Sequence, residues 1–149
     1  LSKEKIKNLE EMQDKITKEN EAIINSIKKD VNGNVLVTLA DGDHTLVYDY
    51  NAIATAEEMS GQTIFQLIDR TEKNSLDFIA MRHLLAAGLC HERIVKEEPE
   101  YSIVEIKKML VGINPFKVMT AVGLAVGKLI TQFLTDTQNT KTLEIQDKK

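Results

Sequence analysis

Apolar side chains recur at two different periods along this chain, and the change of period marks out its elements. From about Lys3 to Lys29 no Gly or Pro interrupts a run of helix formers, and Ile6, Leu9, Gln13, Ile16, Asn20, Ile23 and Ile27 alternate three and four apart. That spacing is a short heptad seam. With Ile6 at a, positions a also hold Gln13, Asn20 and Ile27, and positions d hold Leu9, Ile16 and Ile23. Polar residues at a lower stability while fixing register. Two structures fit this seam: an oligomerisation or docking arm, or an amphipathic helix folded back on its own domain. Three heptads are at the short end for an independent coiled coil. Self-association is assigned to Ile6, Leu9, Ile16, Asn20, Ile23 and Ile27.

Asn32-Gly33 ends this helix and the period changes to two. Asn34 to Leu39 and His44 to Asp49 are rich in Val, Leu, Thr and Tyr and flank Asp41-Gly42, which predicts a β-hairpin. Asp-Gly suits a two-residue type I′ loop, and that register pairs Leu39 with His44, Val37 with Leu46 and Val35 with Tyr48. One face then holds Val35, Val37, Leu39, Leu46 and Tyr48. The other, with Leu36, Thr38, Thr45 and Val47, is only partly polar and invites cover from a helix or another subunit.

From Asn51 onward the pattern is helical. Asn51 is the expected N-cap of a helix over Ala52 to Met59, with Gly61 as its stop. Thr63 to Gln66 is a capping box opening a short helix to about Arg70, and Ser75 is the expected cap of the next. That helix is apolar almost all round from Phe78 to Cys90, so it is expected to be the buried centre. An acidic link, Lys96 to Glu100, precedes a second capping box at Ser102 to Glu105, whose helix stops near Gly112. Asn114-Pro115 starts a last helix carrying Phe116, Met119, Val122, Val126, Leu129, Ile130 and Phe133 at helical spacing. The polar stretch after it, Thr135 to Lys149, is expected to be frayed or disordered. The fold class is therefore α+β, mainly α: an N-terminal helical arm (1–30), a hairpin plus a compact bundle of about five helices (31–134), and a polar flexible tail (135–149).

Composition narrows the function. The chain has 149 residues, 42% hydrophobic and 28% charged, which is one soluble globular domain in length and make-up. Lys and Arg number 19 against 23 Asp and Glu, a net charge of −4, so no broad phosphate-binding face is built and nucleic acid is not an expected partner. Residues 1–30 hold seven basic and seven acidic side chains, so the excess negative charge lies in the body. Cys90 is the single cysteine, which leaves neither an internal disulfide nor the usual zinc ligand set. The most apolar late stretch, Val118 to Ile130, falls short of the roughly 20 residues a bilayer demands. No membrane partner is expected, and a reducing cytoplasm is.

Catalytic motifs are missing as well. His83, Cys90, His91 and Glu92 cluster in sequence, but His83 and Cys90 lie about 10 Å apart along a helix, and zinc ligands converge to about 2 Å from one ion. Cys90 and His91 point about 100° apart, a poor arrangement for a nucleophile and its base. The alternative readings are a hydrogen-bonded core histidine at His83 and a helix-end cation at His91. His44 beside Asp43 reads as hairpin-turn polarity. No P-loop, dinucleotide fingerprint, G-x-S-x-G or H-E-x-x-H pattern occurs, and neither catalytic nor cofactor- or metal-binding residues are assigned. Gly123 and Gly127 have GxxxG spacing. Glycines inside a helix cost about 1 kcal/mol each relative to Ala, which predicts a tight helix contact, within the chain or between subunits.

Three stretches taken together resemble the tail assembly chaperones of long-tailed, siphovirus-type bacteriophages and prophages. They are HTLVYDYNAIATAEEMSGQTIFQLI from His44, SLDFIAMRHLLAAGLCHE from Ser75 and YSIVEIKKML from Tyr101. Tyr50-Asn51-Ala52, Glu57-Glu58, Gly61, Phe65, Leu85, Ala87-Gly88-Leu89, His91-Glu92 and Glu105 stand in the order of that family's pattern. The likeness covers roughly His44 to Phe133, and the heptad arm departs from it. The resemblance implies a small, mainly helical, non-enzymatic protein that binds the tape-measure protein, keeps its apolar surface from aggregating and helps recruit tail-tube subunits. It also implies a longer, frameshifted form that contacts the tube subunits, action in the cytoplasm of the bacterial host, and absence from the mature virion.

Such a chaperone needs many weak apolar contacts and copies of itself. Client or subunit contact is assigned to Phe65, Phe116, Gly123, Gly127 and Phe133, with an ordinary core position as the alternative for each Phe. The other function class is a small dimeric coiled-coil adaptor or transcriptional regulator. Its likeliest recognition helix, Ile103 to Val111, offers only Lys107 and Lys108. An enzyme using His83 or His91 comes third.

Overall fold

In the computed structural model, residues 2–74 and 76–147 are described, and a helix whose middle is buried organises them. This is α4, Phe78–Val95, which buries Ala80, Met81 and every residue from Leu84 to Cys90. Around it stand α2 (Tyr50–Ser60), α3 (Ile64–Lys73) and α6 (Pro115–Asp147), with a hairpin of β1 (Leu36–Leu39) and β2 (Gly42–Thr45) across one side. The chain begins with α1 (Lys3–Ser26), and α5 (Ile103–Met109) links α4 to α6. The fold is α+β and mainly helical, with one two-stranded antiparallel sheet among the described residues.

The caps explain where the helices begin. Both predicted capping boxes form: Thr63 with Gln66 opens α3, and Ser102 with Glu105 opens α5. Gly61 closes α2 in the left-handed conformation at φ 72, a region that favours glycine. Two caps differ from expectation. Asp49, not Asn51, caps α2 by accepting from the Ala52 N–H at 3.0 Å, which brings Asn51 into the first turn. Asp77 caps α4, accepting from the Ala80 N–H at 3.1 Å, while Ser75 lies outside the described residues. Asp77 also receives the Arg70 guanidinium at 2.9 and 3.0 Å. That pair ties α3 to the start of α4 and holds the Asp77 carboxyl below its usual range.

The hairpin forms in a different register from the predicted one. Leu39 pairs with Gly42, Val37 with His44 and Leu36 with Thr45, so the turn is Ala40-Asp41 and the positive φ, 128°, falls on Gly42. A turn at negative φ completed by glycine at positive φ resembles the longer hairpin loops rather than type I′. The shift is two places, an even number, so no side chain changes face. Val35, Val37, Leu39 and Leu46 are buried as expected. A separate antiparallel bridge, Lys29 with Val35, ties the segment after α1 to the start of the hairpin.

Gly88 lets this hairpin reach α4. The Val47 N–H donates to the Gly88 carbonyl at 3.0 Å, and a Cβ on Gly88 would stand 2.8 Å from the Tyr48 ring and hydroxyl. Tyr48 is anchored there, its hydroxyl donating to the Leu84 carbonyl at 2.7 Å.

α6 closes the core with Val118, Ala121, Val122, Ala125 and Val126. Gly123 and Gly127 are rotated off that buried face, and a Cβ on either would meet nothing within 4 Å. The tight contact expected of them within the chain is therefore not made. α6 also continues to Asp147, past the flexible tail expected from Thr135. Neither Gly nor Pro follows Gly127, so no stop signal ends the helix there.

Candidate functional site

Three apolar helical surfaces are left uncovered, and together they form the candidate site. The first is on α1. Ile6, Leu9, Met12, Ile16 and Ile24 are 44–60% exposed, so their part of the seam is not covered by the domain, although α1 also touches α6. Ile23 is half-buried. Ile27 is the C-cap residue and packs against the core rather than extending the seam. Asn20 lies within the helix at the third a position. Ser2 starts the arm by accepting from the Lys5 N–H at 3.2 Å.

The second surface joins α3 to the distal part of α6. Phe65 and Phe133 meet there with ring centroids 5.2 Å apart, and both remain exposed, as does neighbouring Leu134. Neither ring is a core residue. Phe116 is exposed too, but 17 residues of helix place it about 25 Å from Phe133. The third surface is a cleft between α4 and the start of α6 lined by Phe78, Met81, Arg82, Leu85, Pro115 and Val118, among others, and Phe116 follows Pro115 without lining it. Phe78 and Ile79 are half to largely exposed, whereas the sequence placed Phe78 in the buried centre. In this cleft the Arg82 Nε is buried and has no hydrogen-bond partner. Gly123 sits on the open side of α6 beside exposed Leu124.

The residues clustered in sequence around Cys90 do not converge. His83 has a buried Nδ1 without a partner, and burial, with Arg82 and Arg70 nearby, pushes its pKa down. The Cys90 thiol is buried, which pushes its pKa up. His91 faces Asp49 at 3.5 Å, and Glu92 turns toward the hairpin. Among the described residues no group of three His, Cys, Asp or Glu side chains is arranged to hold a metal ion.

Glu92 instead belongs to a polar cluster that the sequence did not reveal. It accepts from the Thr45 N–H at 2.8 Å and meets His44 Nδ1 at 2.8 Å, while His44 Nε2 meets Asp41 at 2.7 Å. Both ring nitrogens therefore face carboxylates, an arrangement only the imidazolium satisfies. Burial pulls the His44 pKa down, but the bonds to Glu92 and Asp41 outweigh it and the net shift is upward. Arg93 stacks 4.0 Å over the Tyr101 ring and donates to Glu105 at 2.8 Å and to the Pro99 carbonyl at 2.9 Å. This cluster clasps the hairpin, the end of α4 and the start of α5 together. Its residues are 48 positions apart at the His44–Glu92 contact, so no local spacing could have announced it.

Compared with family models, with curated proteins and with solved structures, the chain matches none. One further property bears on the sequence expectations. Pro115–Thr135 of α6 is 21 residues long with a mean hydropathy of 1.5, long and apolar enough to cross a membrane, and 33% of it is buried inside the protein. Val118 to Ile130 was too narrow a reading of this run, because the helix carries Phe116 and Phe133 beyond both ends.

Proposed function

We propose that this protein is a tail assembly chaperone of a long-tailed bacteriophage or prophage. It binds the tape-measure protein during tail morphogenesis, keeps that helical client from aggregating, and helps recruit tail-tube subunits through a longer frameshifted form. It works without catalysis or cofactor in the host cytoplasm and leaves before the virion is complete. One observation supports this reading most: large apolar side chains stand exposed on separate helical faces, at α1, at Phe65–Phe133 and beside Phe116. Weak apolar contacts spread over several faces suit a long helical client better than a compact ligand does.

The test is co-expression with the tape-measure protein encoded beside this gene, followed by size-exclusion chromatography with light scattering. A soluble complex holding several copies of this chain is expected. An insoluble tape-measure protein beside a discrete dimer of this chain would overturn the proposal. That outcome would favour the second reading, a small dimeric coiled-coil adaptor or transcriptional regulator, which the uncovered heptad arm also fits.

A further inference from the structure

We propose that α1 pairs with α1 of a second copy as a parallel, in-register, two-stranded coiled coil that places both bodies at the same end. This does not rest on the chaperone reading. Its apolar face is uncovered from Ile6 to Ile16 and at Ile24, while Ile23 is half-buried and Ile27, just past the end of the helix, packs on the body. A single helix of this length with so polar a surface is marginal alone in water. A partner helix on the Ile6, Leu9, Ile16 and Ile23 side removes that weakness.

The occupant and its direction follow from the heptad positions. In a parallel pair, a faces a and d faces d across the seam. Gln13 then faces the second copy's Gln13, so amide meets amide. An antiparallel pair laid over the same length would set Gln13 against the apolar d residue Ile16. The flanking charges point the same way. Lys5 occupies a g position and Glu10 the following e position, and in a parallel pair g reaches the next e of the partner. Two Lys5–Glu10 pairs form by symmetry. In an antiparallel pair g meets g and e meets e, so Lys5 and Glu10 lose each other. Met12 at g and Ile24 at e, both exposed, widen the apolar strip that the pair covers.

The experiment uses the full chain. Light scattering at tens of micromolar should give a dimer, and the pair Leu9→Glu with Ile16→Glu should give a monomer whose circular dichroism keeps the signature of the body. Lys5→Glu should weaken dimerisation on the order of tenfold by turning two attractions into repulsions, and adding Glu10→Lys should restore it. Ile6→Cys should yield a reducible covalent dimer absent from the parent chain, whose Cys90 is buried. In an antiparallel pair the two positions would stand about 25 Å apart along the axis. A monomeric parent, a dimer indifferent to the Leu9 and Ile16 changes, or a dimer that Ile6→Cys cannot cross-link would each overturn the proposal.

Discussion

At Gly88 the absent side chain does structural work that no sequence pattern signals. Its backbone is ordinary helix, so the constraint is one of space, set by Tyr48 and Leu46 at 2.8 and 3.0 Å from where a Cβ would stand. The Tyr48 ring cannot swing aside without losing its bond to the Leu84 carbonyl. Gly88→Ala should therefore destabilise the protein by about 1–3 kcal/mol, the usual range for overpacking, read as a lower urea midpoint. An unchanged midpoint would show that the hairpin moves away freely. The histidines permit a second residue-scale prediction. His44 has a raised pKa, so it binds more protons when folded, and its contribution is complete below the ordinary value of 6.5 and fades as pH climbs through the folded value. His83 has a lowered pKa, so the unfolded chain binds more protons there, and stability drops as pH falls below 6.5. The two slopes act on opposite sides of that pH. Denaturation of His44→Gln should lose the decline on the alkaline side, and His83→Gln should soften the loss on the acid side. Matching profiles for parent and variants would refute both assignments.

Among the elements, those with a local signal were legible and those fixed by distant partners were not. The capping boxes at Thr63 and Ser102 need only residues three apart, and both formed as the sequence indicated. The caps of α2 and α4 fall on Asp49 and Asp77, which accept from the Ala52 and Ala80 N–H groups; Asp77 also holds Arg70, seven residues back, and Asp49 lies 3.5 Å from His91 across the fold. The hairpin register was beyond reach of the pattern itself, since a two-place shift leaves the same residues facing the core. The two glycines of α6 were read correctly as unusual but for a contact that the chain does not make. Because Gly123 and Gly127 have open space around them, Gly123→Ala and Gly127→Ala should each stabilise the isolated protein by up to about 1 kcal/mol through helix propensity. If that free face receives a client or a second subunit, the same changes should weaken the association while raising the melting temperature. A fall in melting temperature would instead mean the glycines serve the fold itself.

For the molecule as a whole, the question is which of its apolar surfaces belong to the core and which await a partner. α6 shows both on one helix: Val118, Ala121, Val122, Ala125 and Val126 wall the core, while Phe116, Leu124, Phe133 and Leu134 face outward. This two-sided use explains why the segment is apolar enough to span a bilayer without being enclosed like α4. Insertion into lipid would require stripping its inner face from α4 and β1, exposing the apolar surface they share with it. Burial of such surface is worth roughly 25 cal/mol per Å², and since the α6 residues would pass from core to lipid, what opposes insertion is the apolar surface of α4 and β1 left facing water. The folded protein is accordingly expected to remain in the aqueous fraction when floated with neutral phosphatidylcholine vesicles. Mild destabilisation of the core, as by Leu84→Ala, should be the condition that first lets α6 reach the lipid. Co-flotation of the intact parent chain would show that α6 leaves the body readily, and its outward residues would then be read as lipid contacts instead of client contacts.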